Sequence, residues 1–521
     1  MSLNRKIAYY IFFTGLFGLA ASISVSKAAT SIGMFLMAIA WFAQWNWKEK
    51  AAMFKLNKKL VFLLIPIFLI FVLGLVNSEN INDALKDLKI KVPLFILPII
   101  FSMSFPLKRV HIITVLVLMG LSAIIATIIG YVGYQINSSN TKGVINLRTI
   151  SPFISLIRLS LILSMAYGLA LWGLIKLKTF SKWFLIIPIF WIVFIFAYSE
   201  SLTGLIFLPF ISLYFVIYIL KKFRKYAIAF TLIGIAGGIF LIVEAYSISK
   251  VVFTENILKA ENTTFNGAKY QHFNSSGKEN GFYVYRHVCH KEMSKEWSKR
   301  STIPYWSKKK DGFNFNAIIL RYMSSKGLKK DSLGLSQLSD TEIRAIELGT
   351  TNSFYLESNP ISNRIHKLFM EIDEAIQRGR FKGNSVTSRY IFVATGLKVW
   401  RENLFFGAGT GDVRDEMIEK YQNRPNYKKE LFKKKSHNQY VTIGATLGIT
   451  GLFIFLGVYF TLLFSYDGSL KFLFYLTQGI LMIGMLWEDT IDTQAGVAIF
   501  SLWLTLFVFE NRSDEKVNTQ T

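Results

Sequence analysis

This 521-residue chain is 52% hydrophobic with a mean hydropathy of +0.38, which excludes an ordinary soluble globular protein. Its apolar residues collect in runs of about 20, long enough as helix to cross the roughly 30 Å core of a bilayer. The net charge of +26 is divided between short loops and one long hydrophilic insert, so it argues for anionic lipids or glycans as partners and against nucleic acid.

The chain reads as an all-α polytopic membrane protein. Asn4-Arg5-Lys6 lead into a first apolar run, about 7–25. A second follows at once, about 28–45, so the first reads as a retained span and not a cleaved signal. Lys48, Lys50, Lys55, Lys58 and Lys59 then predict a basic loop before the third run, about 60–77. Asn80 to Lys91 is a short amphipathic piece. Runs at about 92–105, 110–134, 152–175, 183–199, 203–220 and 226–246 bring the count to nine. The polar loop Gln135 to Thr149 and the basic clusters Lys108-Arg109, Lys176 to Lys182 and Lys221 to Lys225 lie between them. With the N-terminus in the cytoplasm, the basic loops fall inside, as the positive-inside pattern requires.

Three more runs, about 440–465, 470–487 and 495–509, close the chain, for about twelve spans in all. The expected division is a bundle at 1–246, one large outer domain at 247–435, spans ten to twelve at 436–510 and a cytoplasmic tail at 511–521. The outer domain reads as mostly helical. Its Asn, Ser, Lys and Gly between 262 and 312 predict loops. Ile343, Ile346, Leu368, Phe369, Ile372 and Ile376 recur at helical spacing. Ser388 to Trp400 predicts an amphipathic helix with Tyr390, Val393, Leu397 and Trp400 on one face.

Ser436-His437-Asn438-Gln439-Tyr440 follows the basic run Lys433-Lys434-Lys435 and opens the tenth span. Ser436 with Gln439 has the form of a capping box, which makes His437 and Asn438 the first helical residues. There the helix field disfavours imidazolium, leaving a ring able to accept a proton. The motif reads either as such a site or as an ordinary capped helix with an interfacial histidine. Arg158 lies within the sixth run, roughly 10 Å along it at 1.5 Å per residue if that span starts near Ser151. A buried arginine is costly there and faces the bundle or a polar cavity, unless it snorkels to the headgroups. Arg389 opens the 388–400 helix, as a phosphate ligand or a solvated charge. Gly407 to Asp412, including Gly409, is a glycine-rich turn that lets backbone pass close to something. Glu488, Asp489 and Asp492 gather on the last outer turn, where they could position a base, neutralise an arginine or simply be solvated.

His272, His287, Cys289 and His290 match no established zinc spacing, so no metal is expected. The single cysteine allows no intramolecular disulfide. No Walker A loop, nucleophilic-serine elbow or DxD-type pair stands out, and no cofactor is expected. No internal repeat points to a transporter's inverted halves.

Together these features resemble the O-antigen ligase family, bacterial membrane proteins that share a domain with O-antigen polymerases and some protein O-oligosaccharyltransferases. The likeness rests on the span count with one large domain before the tenth span, and on Arg389 opening a helix that ends near Trp400. It also rests on the Leu404–Gly411 turn, His437-Asn438-Gln439-Tyr440, Arg158 in Ile157-Arg158-Leu159-Ser160-Leu161, and Glu488 followed by Gln494-Ala495-Gly496. Residues 250–385 resemble nothing in the family. The family's Ser-Arg before a glycine is here Ser199-Glu200-Ser201-Leu202-Thr203-Gly204, without arginine, so a usual phosphate contact is missing or supplied by a Lys or Arg of the outer domain.

The resemblance implies metal-independent transfer of a glycan from undecaprenyl pyrophosphate to lipid A–core, at the periplasmic face of a Gram-negative inner membrane. A polymerase or a protein O-glycosylating enzyme would share donor and motif. It implies that His437 and Arg389 are catalytic, and that Arg158, Asn438, Tyr440, Gly409 and Glu488 bind substrate. A polysaccharide transporter is the alternative outside enzymes, and the sparse intramembrane charge counts against it.

Overall fold

The computed structural model describes residues 3–44, 46–140, 150–220, 224–259, 261–273, 277–308, 314–379, 386–423 and 434–510. Much of the polar loop after 134, part of the 221–225 basic cluster, Lys433 and the 511–521 tail lie outside the described residues.

Among the described residues the architecture is helical, with one antiparallel pair of short strands, Lys278–Glu279 and Phe282–Tyr283. The described parts of the apolar runs read from the sequence lie mostly on helix. Among the described residues six helices are long and apolar enough to cross a membrane: Arg109–Ile136, Leu156–Lys176, Phe180–Tyr198, Leu202–Leu220, Gly234–Phe253 and Gln439–Ser465. Lys27–Ala43 with Trp47–Leu64 makes a seventh if counted as one broken span. These helices mark a multi-pass membrane protein. The count falls short of twelve because several runs make short helices. Pro93–Met103 has 11 residues and Gln494–Val508 has 15, or about 16 and 22 Å of helix.

The lysine-rich stretch after residue 47, expected as a loop, belongs to the helix Trp47–Leu64, whose cap Asn46 accepts from the Glu49 amide. Lysine is a good helix former, and charge alone does not break a helix.

The chain divides into two compact units. Met1–Gly130, Ile150–Thr231 and Ser388–Thr521 form the first, so residues 388–423, hydrophilic in sequence, belong with the apolar bundle. At its centre the helix Gln494–Val508 is buried from Ala495 to Val508. It packs against Ile81–Lys91, Pro93–Met103 and Lys471–Gly484.

The helix Gln439–Ser465 is interrupted at Gly448, which has φ 68° and ψ −170°. The segment 404–409 fills the interruption. Ala408 N and Gly409 N donate to Ala445 O and Thr446 O, and Ile449 N and Thr450 N donate to Leu404 O and Phe405 O. The backbone groups freed by the break are thus satisfied, as an apolar surrounding demands.

The turn after 409 is tied just as firmly to the 71–80 region. Asn77 Nδ2 donates to Gly407 O at 2.6 Å, Thr410 Oγ1 to Phe71 O at 2.7 Å, and the Glu79 and Asn80 amides to Asp412 at 2.6 and 2.8 Å. A Cβ on Gly409 would lie 2.4 Å from Asn77 O. The something this glycine-rich turn approaches is the protein's own backbone.

Tyr131–Thr149 and Leu232–Thr387 form the second unit. The 262–312 stretch, expected as loops, contains the strand pair and the helix His290–Arg300. Trp297, Phe315, Ile319, Tyr322, Ile343 and Ile346 build a small core. Ile376, expected with the apolar stripe, is 72% exposed.

A buried polar network links the helix Pro360–Arg378 to this unit. Asn352 Nδ2 donates to Glu279 Oε2 and Asn280 Oδ1 at 2.8 and 3.0 Å, and His366 Nε2 lies 2.8 Å from the same Asn280 oxygen. Nε2 must therefore donate, while Nδ1 accepts from Tyr355 at 3.2 Å. Burial, aided by the Lys367 charge, lowers the His366 pKa to about 4. The unfolded chain, near 6.5, takes up this proton first, so stability is full above about pH 6.5 and lost as pH falls toward 4. Up to about 3 kcal/mol is at stake. We expect hydrogen-exchange protection of Pro360–Arg378 to fall between pH 7 and 5, and His366→Gln to flatten that dependence.

Candidate active site

The helix at the histidine motif starts two residues later than the capping-box spacing predicts. Asn438 is the cap, its Oδ1 accepting from Tyr440 N and Val441 N, both at 3.1 Å. Ser436 Oγ instead donates to Asn438 O at 2.8 Å and lies 2.5 Å from Thr442 Oγ1. His437 is not helical. Its φ is +52°, in the left-handed region that costs a side chain about 1–2 kcal/mol. The ring therefore does not stand in the first turn of the helix, where the expected helix field would act on it.

What holds His437 in this conformation is the turn after the next helix. The His437 amide donates to Asp489 Oδ2 at 2.9 Å, and Thr442 Oγ1 donates to Asp489 Oδ1 at 2.6 Å. Gln439 Oε1 accepts from Ile491 N at 2.8 Å, Asn438 Nδ2 donates to Leu486 O at 2.8 Å, and Tyr440 Oη donates to Met482 O at 2.9 Å. The polar groups of Asn438 and Tyr440 thus shape the loop. Strain at a polar residue, over-determined by its neighbours, is a common mark of a functional site.

Arg158 is not deep in a span. Its helix, Leu156–Lys176, begins after Ser155, which accepts from the Arg158 amide, so Arg158 sits in the first turn. Residues 151–155 are non-helical, which is why counting from Ser151 places it too deep. Its Nη2 donates to Glu488 Oε1 at 2.6 Å. The other carboxylate oxygen, Oε2, is 3.7 Å from His437 Nδ1, beyond hydrogen-bond length but close electrostatically. The His437 ring also packs on Phe392, 5.3 Å between centroids.

Glu488 is 4% exposed. Burial pushes its pKa up, but the His437 ring and the charges of Arg158 and Arg389 outweigh this and hold it below the usual carboxylate range. The neighbouring Asp489 goes the other way. Burial raises its pKa, and Asp492 acts in the same direction. Burial also opposes ionisation of Asp492, but Lys435 and Lys91 hold it well below the ordinary carboxylate value.

Arg389 lies on the helix Val386–Glu402, whose orientation differs from the expected one. Ile391, Phe392 and Val399 are buried, whereas Tyr390 is 72% and Leu397 45% exposed. The helix is apolar on more than one side, so periodicity alone does not identify its inner face. Gly409 lies in the turn beyond this helix, engaged with backbone. Where the family's Ser-Arg is missing, Ser201 Oγ lies 3.0 Å from Ser160 Oγ.

In the second unit, His290 Nδ1 lies 2.8 Å from Tyr305 Oη and His287 Nε2 accepts from the Glu261 amide. Among the described residues no group of three or more His, Cys, Asp and Glu could hold a metal.

The described residues define a mainly helical membrane protein with a strained histidine, a buried carboxylate and two arginines acting on that carboxylate. Residues 344–456 match the model of the O-antigen ligase domain. The match covers about a fifth of the chain and supports its resemblance to the O-antigen ligase family, whose members are glycosyltransferase-like ligases and polymerases. The match spans Arg389, the 404–412 turn and the histidine motif, and it reaches back to Arg344, into the insert expected to resemble nothing in the family. No curated protein matches the chain.

Proposed function

We propose that this protein is an O-antigen ligase-like glycosyltransferase. It moves a glycan from undecaprenyl pyrophosphate to a hydroxyl of lipid A–core, at the periplasmic face of a Gram-negative inner membrane. The observation that carries the reading is the His437–Glu488 pair with Arg158 and Arg389 acting on the same carboxylate. Under this reading the acidic turn and both arginines face the periplasm, and twelve passages through the membrane include short and broken helices.

The acceptor oxygen attacks the anomeric carbon as the bond from that carbon to the pyrophosphate oxygen breaks. The leaving group keeps the electron pair. Arg158 and Arg389 stabilise the charge that grows on it, so no metal is needed in this scheme. The acceptor's proton goes to His437. Glu488 Oε2 stands 3.7 Å from Nδ1 and orients the ring, which leaves Nε2 to face the acceptor hydroxyl. Asn438 and Tyr440 keep the loop in shape. Direct displacement inverts the anomeric centre.

The test is acceptor dependence with purified protein, an undecaprenyl-diphosphate-linked glycan and no membrane gradient. Glycan should appear on lipid A–core only when that acceptor is added. Growth of the lipid-linked chain without it would make the protein a polymerase, transfer to a polypeptide would make it a protein O-glycosylating enzyme, and no turnover would favour transport.

A further inference from the structure

Asp87 and Lys91 lie one turn apart on the amphipathic helix Ile81–Lys91, and the mechanism above uses neither. Lys91 Nζ is 2.6 Å from Asp87 Oδ2 and 2.7 Å from Asp492 Oδ1. Lys435 Nζ is 3.3 Å from Asp87 Oδ1 and 3.1 Å from Asp492 Oδ2. Each cation touches both anions, so the four side chains close a neutral ring. The Lys91 side chain is 0% exposed, Asp492 8%, Asp87 13% and Lys435 18%. Lys91 also lies over the Phe71 ring at 4.6 Å.

Two members of the ring flank the reacting groups. Lys435 stands two residues before His437, and Asp492 stands four residues after Glu488. The ring therefore joins the two segments whose spacing sets the 3.7 Å approach of His437 Nδ1 to Glu488 Oε2. Stability alone is a weak reason for such a ring, because well-packed apolar replacements for buried ion pairs are often neutral or stabilising. Positioning is a stronger one, since a misplacement of about 1 Å can cost roughly 100-fold in rate.

We propose that the helix Ile81–Lys91 is a positioning element of the active site. Through Asp87 and Lys91 it holds Lys435 and Asp492, and with them His437 against Glu488. This rests on the reading of His437 as the base. The ring's charges satisfy one another, so its loss falls on the chemical step and not on donor binding.

The test is the charge-balanced double variant Asp87→Asn/Lys435→Met, which leaves Lys91 paired with Asp492. In the purified full-length protein, kcat should fall about 10–100-fold while the donor KM stays within about threefold. On a His437→Ala background the same pair should cost nothing further. A readout independent of turnover is the imidazole 15N resonances of the six histidines. The His437 signals, assigned by their loss in His437→Ala, should move while the others stay. Wild-type kcat, a change confined to KM, or unmoved His437 signals would overturn the proposal. If wild type transfers no glycan but the His437 signals move, the positioning stands and the functional reading fails. Should the double variant not fold, Lys435→Arg takes its place with the same two readouts, and unchanged kcat or unmoved signals count against the proposal.

Discussion

His437→Gly should remove transfer while leaving the protein folded. The His437 φ of +52° suits glycine better than histidine, and the bond from this residue to Asp489 comes from the backbone amide, which glycine keeps. The loss is the ring alone, with its packing on Phe392 and its approach to Glu488. Stability should stay within about 1 kcal/mol of wild type, because relieved strain and lost packing oppose each other. A general base contributes about 10²–10⁴-fold, so transfer should drop by that factor. The measurement is a gel of envelope glycans from a deletion strain rescued by wild type, His437→Gly or His437→Ala at matched expression. The ladder on lipid A–core should return only with wild type. A full ladder with either variant would make the histidine a loop-former and end the mechanism. An intact ladder in the deletion strain, with a different polymer shortened, would move the reading to polymerase.

The residues of the candidate site are visible in the sequence, but not their arrangement. His437, Glu488, Arg158 and Arg389 stand out because charge and imidazole next to apolar runs are costly unless used. The register of the histidine loop is misread because Ser436 and Gln439 satisfy the capping-box spacing by chance. Asn438 is as good a cap, and Ser436 and Gln439 are drawn to Thr442 and Ile491, contacts that no local rule contains. The ring of Asp87, Lys91, Lys435 and Asp492 is hidden for the same reason. Only the Asp87–Lys91 pair, at helical spacing, is local enough to notice. The span count exceeds the number of long apolar helices where apolar runs are real but short, as in Pro93–Met103, since hydropathy marks burial as readily as lipid exposure.

Gly448→Ala should unfold the first unit, or leave too little of it folded to act. With φ 68° and ψ −170° this residue occupies a region essentially reserved for glycine. An added Cβ would stand 2.1 Å from Phe405 O and 2.4 Å from Phe406 N, and backbone cannot swing aside as a side chain can. Relieving the clash means expelling the 404–409 segment. Ala445 O, Thr446 O, Ile449 N and Thr450 N would then lose their partners in an apolar setting, at about 1–3 kcal/mol each. The loss should exceed about 4 kcal/mol, read as a collapsed melting transition in detergent and rapid proteolysis near residue 405. Gly457→Ala on the same helix is the control: nothing lies within 4 Å of its Cβ, and alanine is the better helix former. Equal stability of the two variants would mean that the helix can straighten without the inserted segment. That segment leads from the helix bearing Arg389 to the turn that Asp412 ties to the start of Ile81–Lys91. A straightened helix would therefore detach Arg389 and the ion ring from a common anchor, so a stable Gly448→Ala protein should still transfer glycan poorly.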